Sequence, residues 1–216
     1  MEDYIIWFEL SAFGASLIAW PVIRRSPSLR LFPFLLALVA GVEFYFTFFQ
    51  DVVSPVNSKV YNIQIPLQHL IYIAILYYAT ERRTYRRFLL VAAAIFVVVI
   101  VITLMLLPDP RYTNAWGYCA GSIIIIIGSV SKFYEMLQNP TEFNFLRNPF
   151  FYLLFAFLLF NLGTLPYFAM GNWLYRVKAY RKAMIMYIDA MSILNYVLYA
   201  TYTIVFIWMT RMKSSY

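Results

Sequence analysis

Charge is scarce in this 216-residue chain: Asp, Glu, Lys and Arg make up 12% of it, about half the ~25% of an ordinary soluble domain. A soluble fold of this length leaves roughly 30% of its chain surface facing water, and so few polar residues could not cover it. The scarcity excludes a soluble enzyme, a nucleic-acid-binding domain and a disordered chain. Histidine occurs once, at His69. A zinc site of the His-Glu-x-x-His type needs two histidines. A Ser-His-Asp hydrolase would have to use His69 as its base, and no Gly-x-Ser-x-Gly turn accompanies it. The one cysteine, Cys119, forms no intrachain disulfide. Glycine is also sparse, at seven residues, and none opens a Gly-x-x-x-x-Gly-Lys-Ser/Thr phosphate loop. Residues 189–210 contain no lysine for a retinal Schiff base. No apolar run carries the regularly spaced arginines of a voltage sensor. The sequence therefore predicts no cofactor, no metal and no enzymatic activity.

What is present in excess is apolar surface. Hydrophobic residues make up 63% of the chain and the mean hydropathy is +0.70. Seven apolar runs, at 5–23, 31–49, 62–79, 88–107, 115–136, 150–168 and 185–208, each approach the ~20 residues that cross a bilayer as a helix. The fold class read from this is all-α: a polytopic seven-transmembrane-helix bundle forming one domain over 1–216. Breaks fall at Arg24-Arg25-Ser26-Pro27, 51–57, 81–87, Pro108-Asp109-Pro110 and Asn139-Pro140. Proline there removes a backbone donor and disfavours helix in the residue before it.

Lysine and arginine sort unevenly between the connections, and the side richer in them faces the cytoplasm. With the N-terminus outside, Arg24, Arg25, Arg30, Arg82, Arg83, Arg86, Arg87, Lys132, Arg147, Arg211 and Lys213 lie inside, against Lys59, Arg111, Arg176, Lys178, Arg181 and Lys182 outside. Eleven against six predicts N-terminus outside and C-terminus cytoplasmic. The net charge of +7 is thus a matter of topology and lipid headgroups rather than nucleic acid. Glu2 and Asp3 before the first run, with Arg24 and Arg25 after it, suit an uncleaved first helix. In the connection 171–182, Trp173, Val177, Tyr180 and Met184 fall at helical spacing, so it reads either as a short surface helix or as a plain basic loop.

Within the runs, small residues recur every seven positions in the fifth: Gly121 with Gly128, Ser122 with Ser129. Two helical turns separate each pair, so they line one stripe that lets another helix approach closely. The alternative is a glycine-lined substrate path. The fourth run has Thr103 as its only hydroxyl, which places it at the lipid-facing edge. Ionisable and amide groups in the bilayer are costly and often mark function. They are Glu9, Glu43, Gln64, Gln68, His69, Asn161, Thr164, Asp189, Ser192 and Asn195, and under this topology all lie in the outer half or the middle. Two readings follow. In one, Glu43, Gln64, Gln68, His69, Asn161, Asp189 and Asn195 line an outward-facing cavity for a small polar or cationic ligand, with Pro66 and Pro166 kinking the helices around it. In the other they bond one another, His69 pairing with Glu43 or Asp189, and Glu9 reaches the headgroups. Lys132 and Glu135, one turn apart, are expected to pair.

Two further features bear on function. Arg30-Leu31-Phe32-Pro33-Phe34 and Leu146-Arg147-Asn148-Pro149-Phe150 open the second and sixth runs alike, which suits a 3+1+3 transporter plan. Tyr61-Asn62, Tyr134-Glu135, Pro149-Phe150 and Asn195-Tyr196 with Tyr199 resemble a group of small, largely uncharacterised bacterial heptahelical membrane proteins. Gln68-His69 departs from that group, where an acidic residue is expected. The resemblance implies a sensor or accessory subunit of the bacterial inner membrane that works through a cytoplasmic signalling protein. Its contact is expected at Arg82, Arg83, Arg86 and Arg87. A transporter of a small polar or cationic solute and a structural subunit of a membrane complex are the alternatives.

Overall fold

The computed structural model describes residues 4–49, 56–107, 113–138, 147–176 and 180–214. Among them are seven long helices: α1 (Ile5–Ile18, continued by the short Trp20–Ile23), α2 (Phe32–Phe49), α3 (Val56–Ala79), α4 (Arg83–Met105), α5 (Ala115–Gln138), α6 (Pro149–Arg176) and α7 (Tyr180–Ser214). The described residues contain no strand. Pro33 and Pro149 fall in first turns and Pro21 at the start of the short continuation of α1, where a helix tolerates proline, whereas Pro66 and Pro166 lie inside α3 and α6.

Five helical segments are long and apolar enough to cross a membrane: Leu29–Phe49, Arg83–Met105, Ala115–Gln138, Pro149–Met170 and Ile188–Met212. Ile5–Ile18 is apolar but shorter. The 24-residue α3 is long enough but not among the five. Asn57, Ser58, Lys59, Asn62, Gln64, Gln68 and His69 dilute its apolar character. The long helix that falls outside the five thus carries Gln64, Gln68 and His69.

Six helices close a ring. α1 packs on α2 and α7, α2 on α3, α3 on α5, α5 on α6, and α6 on α7. α4 stands outside, chiefly against α3 and α5. It buries Leu89, Ala92 and Phe96, one stripe at 3–4 spacing, and leaves the rest of its surface facing out. The peripheral place expected of the fourth run is what the structure shows.

Helix directions follow from the pairs. Phe8 meets Tyr196 and Ser11 meets Thr203, so α1 and α7 run parallel. The two chain ends therefore leave at opposite ends of the bundle, here called the N-terminal and C-terminal ends. Around the C-terminal half the interior is filled. Phe32 makes edge-to-face contacts with Tyr202 (5.4 Å) and Phe206 (5.7 Å), Tyr72 lies on Phe157, and Leu36, Leu76 and Leu154 close the gaps. Lipid tails are as apolar as leucine, so close packing rather than water exclusion holds such helices together. Each aromatic pair contributes about 1 kcal/mol beyond its contact area.

Two helices outrun their expected spans. α6 continues to Arg176 and α7 begins at Tyr180, beyond the expected spans, which end at 168 and begin at 185. The connection expected as a surface helix or loop is instead largely the continuation of these two helices, with 177–179 outside the described residues. The breaks expected at 108–110 and 139–140, and most of that at 51–57, also lie outside them.

Candidate functional site

α3 presents two polar faces. Tyr61, Gln64, Gln68 and Tyr72 follow one another at spacings of three or four and share one face. Asn62, His69 and, further along, Leu76 recur every seven residues on another.

The first face looks toward α1, α2 and α7. The Tyr61 hydroxyl donates to Glu43 Oε1 on α2 at 2.9 Å, and the ring lies on Phe46. The Tyr72 hydroxyl meets that of Tyr202 on α7 at 3.2 Å and also bonds Gln68. Tyr199, one turn before Tyr202, faces the Glu9 carboxyl of α1, and Glu43 lies within electrostatic reach of both. Two carboxyls and four phenols thus gather where four helices meet. Glu9 is 3% exposed and its Oε2 has no hydrogen-bond partner. Gln64 is 4% exposed and its Oε1 likewise has none.

One reading had Glu9 reach the headgroups; in the structure its side chain is buried instead. It lies in the stripe Ile6, Glu9, Ala12, Ala15, Ser16 and Ala19, which is the buried face of α1. That 3–4 spacing was readable in the sequence; what it faces was not. Tyr61 and Tyr199 were named only for the resemblance they carry, and Tyr72 and Tyr202 not at all, because tyrosine in a membrane protein is so often an interfacial anchor.

The second face of α3 meets α5. His69 Nδ1 lies 2.7 Å from the Ile65 carbonyl and Nε2 lies 3.3 Å from Ser122 Oγ. In the neutral ring the carbonyl fixes the proton on Nδ1, so Nε2 accepts from Ser122. The polar contacts continue from Ser122 to Tyr118 and on to Thr164 of α6. The imidazole packs beside Phe96 and Tyr118. His69 therefore bonds a carbonyl and a hydroxyl, not the carboxylate of Glu43 or Asp189 expected from the sequence. Adjacent residues on a helix point about 100° apart, so Gln68 and His69 serve different faces.

The other candidates stand apart. Asn161 is buried on α6, where its Nδ2 donates to the Phe157 carbonyl of its own helix at 2.7 Å. Asp189 is exposed on α7 and Asn195 is half-buried. So Glu43, Gln64 and Gln68 share a site with Glu9, while His69, Asn161 and Asp189 do not join them. A small cleft lined by Tyr61, Asn62, Pro66, Ile100, Asn114 and Tyr118 has room for about one water molecule.

At the C-terminal end, Glu135 does structural work. Its Oε1 accepts the backbone N–H groups of Glu81 (3.0 Å) and Arg82 (2.6 Å), and its Oε2 meets Lys132 Nζ at 3.4 Å. The expected Lys132–Glu135 pair is formed, and it also caps the turn into α4. Arg82 bonds Gln138, and the Arg86 guanidinium lies over the Tyr77 ring at 4.5 Å. Arg83 and Arg87 are exposed. Among the described residues, no group of three or more His, Cys, Asp or Glu is arranged to hold a metal ion.

The chain is an all-helical, multi-pass membrane protein. No family model matches it, and neither a curated protein nor a solved structure shows a match.

Proposed function

We propose that this protein is a non-enzymatic, receptor-like sensor of a bacterial cytoplasmic membrane, with seven spans and its N-terminus outside. Its ligand is small and polar or cationic, and it binds in the outer half among Glu43, Gln64, Gln68 and Glu9. Its signal leaves through the cytoplasmic rim, where Arg83 and Arg87 are free to meet a signalling protein and Arg82 and Arg86 hold the rim in shape. This agrees with the sensor-type heptahelical proteins the sequence resembles. One observation carries the reading: the unpartnered buried side-chain oxygens, Glu9 Oε2 and Gln64 Oε1, lie in the N-terminal half, whereas in the C-terminal half the buried Lys132 and Glu135 pair with each other and Phe32, Phe157, Tyr202 and Phe206 fill the interior. A site with a packed floor suits binding and relay better than passage.

The test is gentle purification from native membranes followed by identification of co-purifying proteins, beside uptake assays in proteoliposomes. A stoichiometric partner lost on Arg83→Glu/Arg87→Glu supports the sensor. Accumulation of a polar solute overturns it in favour of a transporter, and a large assembly without ligand overturns it in favour of a structural subunit.

A further inference from the structure

We infer that the junction of α1, α2, α3 and α7 binds one small monovalent cation, held by the carboxyl oxygens of Glu9 and Glu43 and the side-chain carbonyl of Gln64. The inference rests on reading this half of the bundle as the ligand site, and it names the ligand's chemistry.

The argument begins with two acceptors. Glu9 Oε2 and Gln64 Oε1 come from different helices, each on a side chain more than nine-tenths buried, and neither has a donor. A buried acceptor without a donor costs about 1–3 kcal/mol, and more when it is charged. One such atom could be an accident of packing. Here the carboxylate oxygen lies on the buried face of α1 and the amide oxygen on the α3 face that carries Tyr61 and Tyr72. Gln64 sits on the α3 face that runs from Tyr61, bonded to Glu43, to Gln68 and Tyr72. That face looks onto the groups around Glu9.

The second step is charge. Among the described residues, the groups that bear on Glu9 are the Glu43 carboxyl and the Tyr199 phenol, and neither is basic. His69, the one histidine, faces α5 instead. Lys59 is exposed near the start of α3. A buried carboxyl is ordinarily paired, metal-bound or protonated. A cation therefore meets two needs at once: it offsets the carboxylate charge and it coordinates the orphaned oxygens. Hard oxygen ligands of this kind suit alkali ions and ammonium, not thiophilic metals. Divalent calcium would ask for six to eight oxygens; the two carboxyls and one amide offer five, and the Tyr61 and Tyr199 hydroxyls are already bonded to the carboxyls. Tyr61 and Tyr199 hydroxyls stand beside the carboxyls and steady their orientation.

The experiment uses the intact protein in lipid nanodiscs at pH 8. Thermal unfolding is followed in sodium, potassium or ammonium chloride and in N-methyl-D-glucamine chloride at equal ionic strength. Binding to the folded state should raise the midpoint, on the order of 5 °C at saturation, for at least one small cation. Glu9→Gln should abolish that rise while leaving the midpoint in N-methyl-D-glucamine chloride unchanged or higher. Equilibrium binding of radioactive sodium or rubidium to the wild type provides a measure independent of any variant's folding. Equal midpoints in all four salts together with no bound radioactivity overturn the inference, leaving a proton as the only occupant. If cations fail but an organic solute binds in a Glu43-dependent manner, the cation falls and the ligand site stands. If a cation binds while solute accumulates in proteoliposomes, the cation stands and the sensor falls.

Discussion

Asn62 Oδ1 accepts the backbone N–H of Asn114 at 2.8 Å, across 52 residues of chain. The same offset recurs two turns on, where His69 lies over Gly121, and again where Leu76 lies over Gly128. α3 and α5 thus run parallel in constant register over two seven-residue steps, as in a coiled-coil seam. Asparagines tie one end of the seam, and Glu135 bonded to Glu81 and Arg82 ties the other.

The seam predicts a sharp contrast between glycines. A Cβ on Gly121 would lie 2.2 Å from His69 Cδ2, whereas one on Gly14 or Gly41 would meet nothing within 4 Å. Gly121→Ala should destabilise by about 1–3 kcal/mol through overpacking. Gly14→Ala and Gly41→Ala should be neutral or stabilising by up to about 1 kcal/mol. Unfolding midpoints of the three purified variants in one detergent measure this; equal midpoints would mean that His69 does not occupy the glycine's space.

Glu135→Ala removes the acceptor of two backbone N–H groups and strands the buried Lys132. The expected cost is about 3–5 kcal/mol, since breaking one side of a buried pair leaves a charge uncompensated. The double variant with Lys132→Met should recover part of it. A double-mutant cycle reads the coupling directly, and strict additivity would show that the pair is not coupled.

Asp189 and Glu43 differ in exposure, and their neutral variants should differ in effect. Asp189→Asn should leave cation or solute binding within about two-fold. Glu43→Gln should weaken it at least about ten-fold, roughly the ~1.4 kcal/mol of one charge-assisted contact. Equilibrium binding on both proteins decides, and the reverse order would move the site to the start of α7.

Orientation is open to direct measurement, because Cys119 is the one native cysteine. In a Cys119→Ser background, a cysteine at Arg83 should react with an impermeant maleimide only after cells are opened, and one at Lys59 should react in intact cells. The opposite pattern would place the N-terminus in the cytoplasm.

The sequence made some of this legible for physical reasons. An all-round apolar pattern is a property of one helix, so the outer position of α4 could be read without knowing its neighbours. The glycine stripe was read correctly as a packing face for the same reason. Its partner could not be read, since nothing local says that His69 fills the slot at Gly121. The helix ends moved outward for a related reason: hydropathy marks where the bilayer ends, not where backbone hydrogen bonding ends. The carboxyl at Glu9 was misjudged because its depth was weighed and its stripe was not.

The pairing of α1 with α7 has a consequence for biogenesis. Helices enter the membrane in chain order, so the first to arrive waits for the last before its buried face is covered. Until Tyr199 arrives beside it, the Glu9 carboxyl has no phenol from α7 to shelter it. A nascent chain halted before α7 therefore displays an acidic flag on its first helix, which membrane quality control could read as a sign of an unfinished ring.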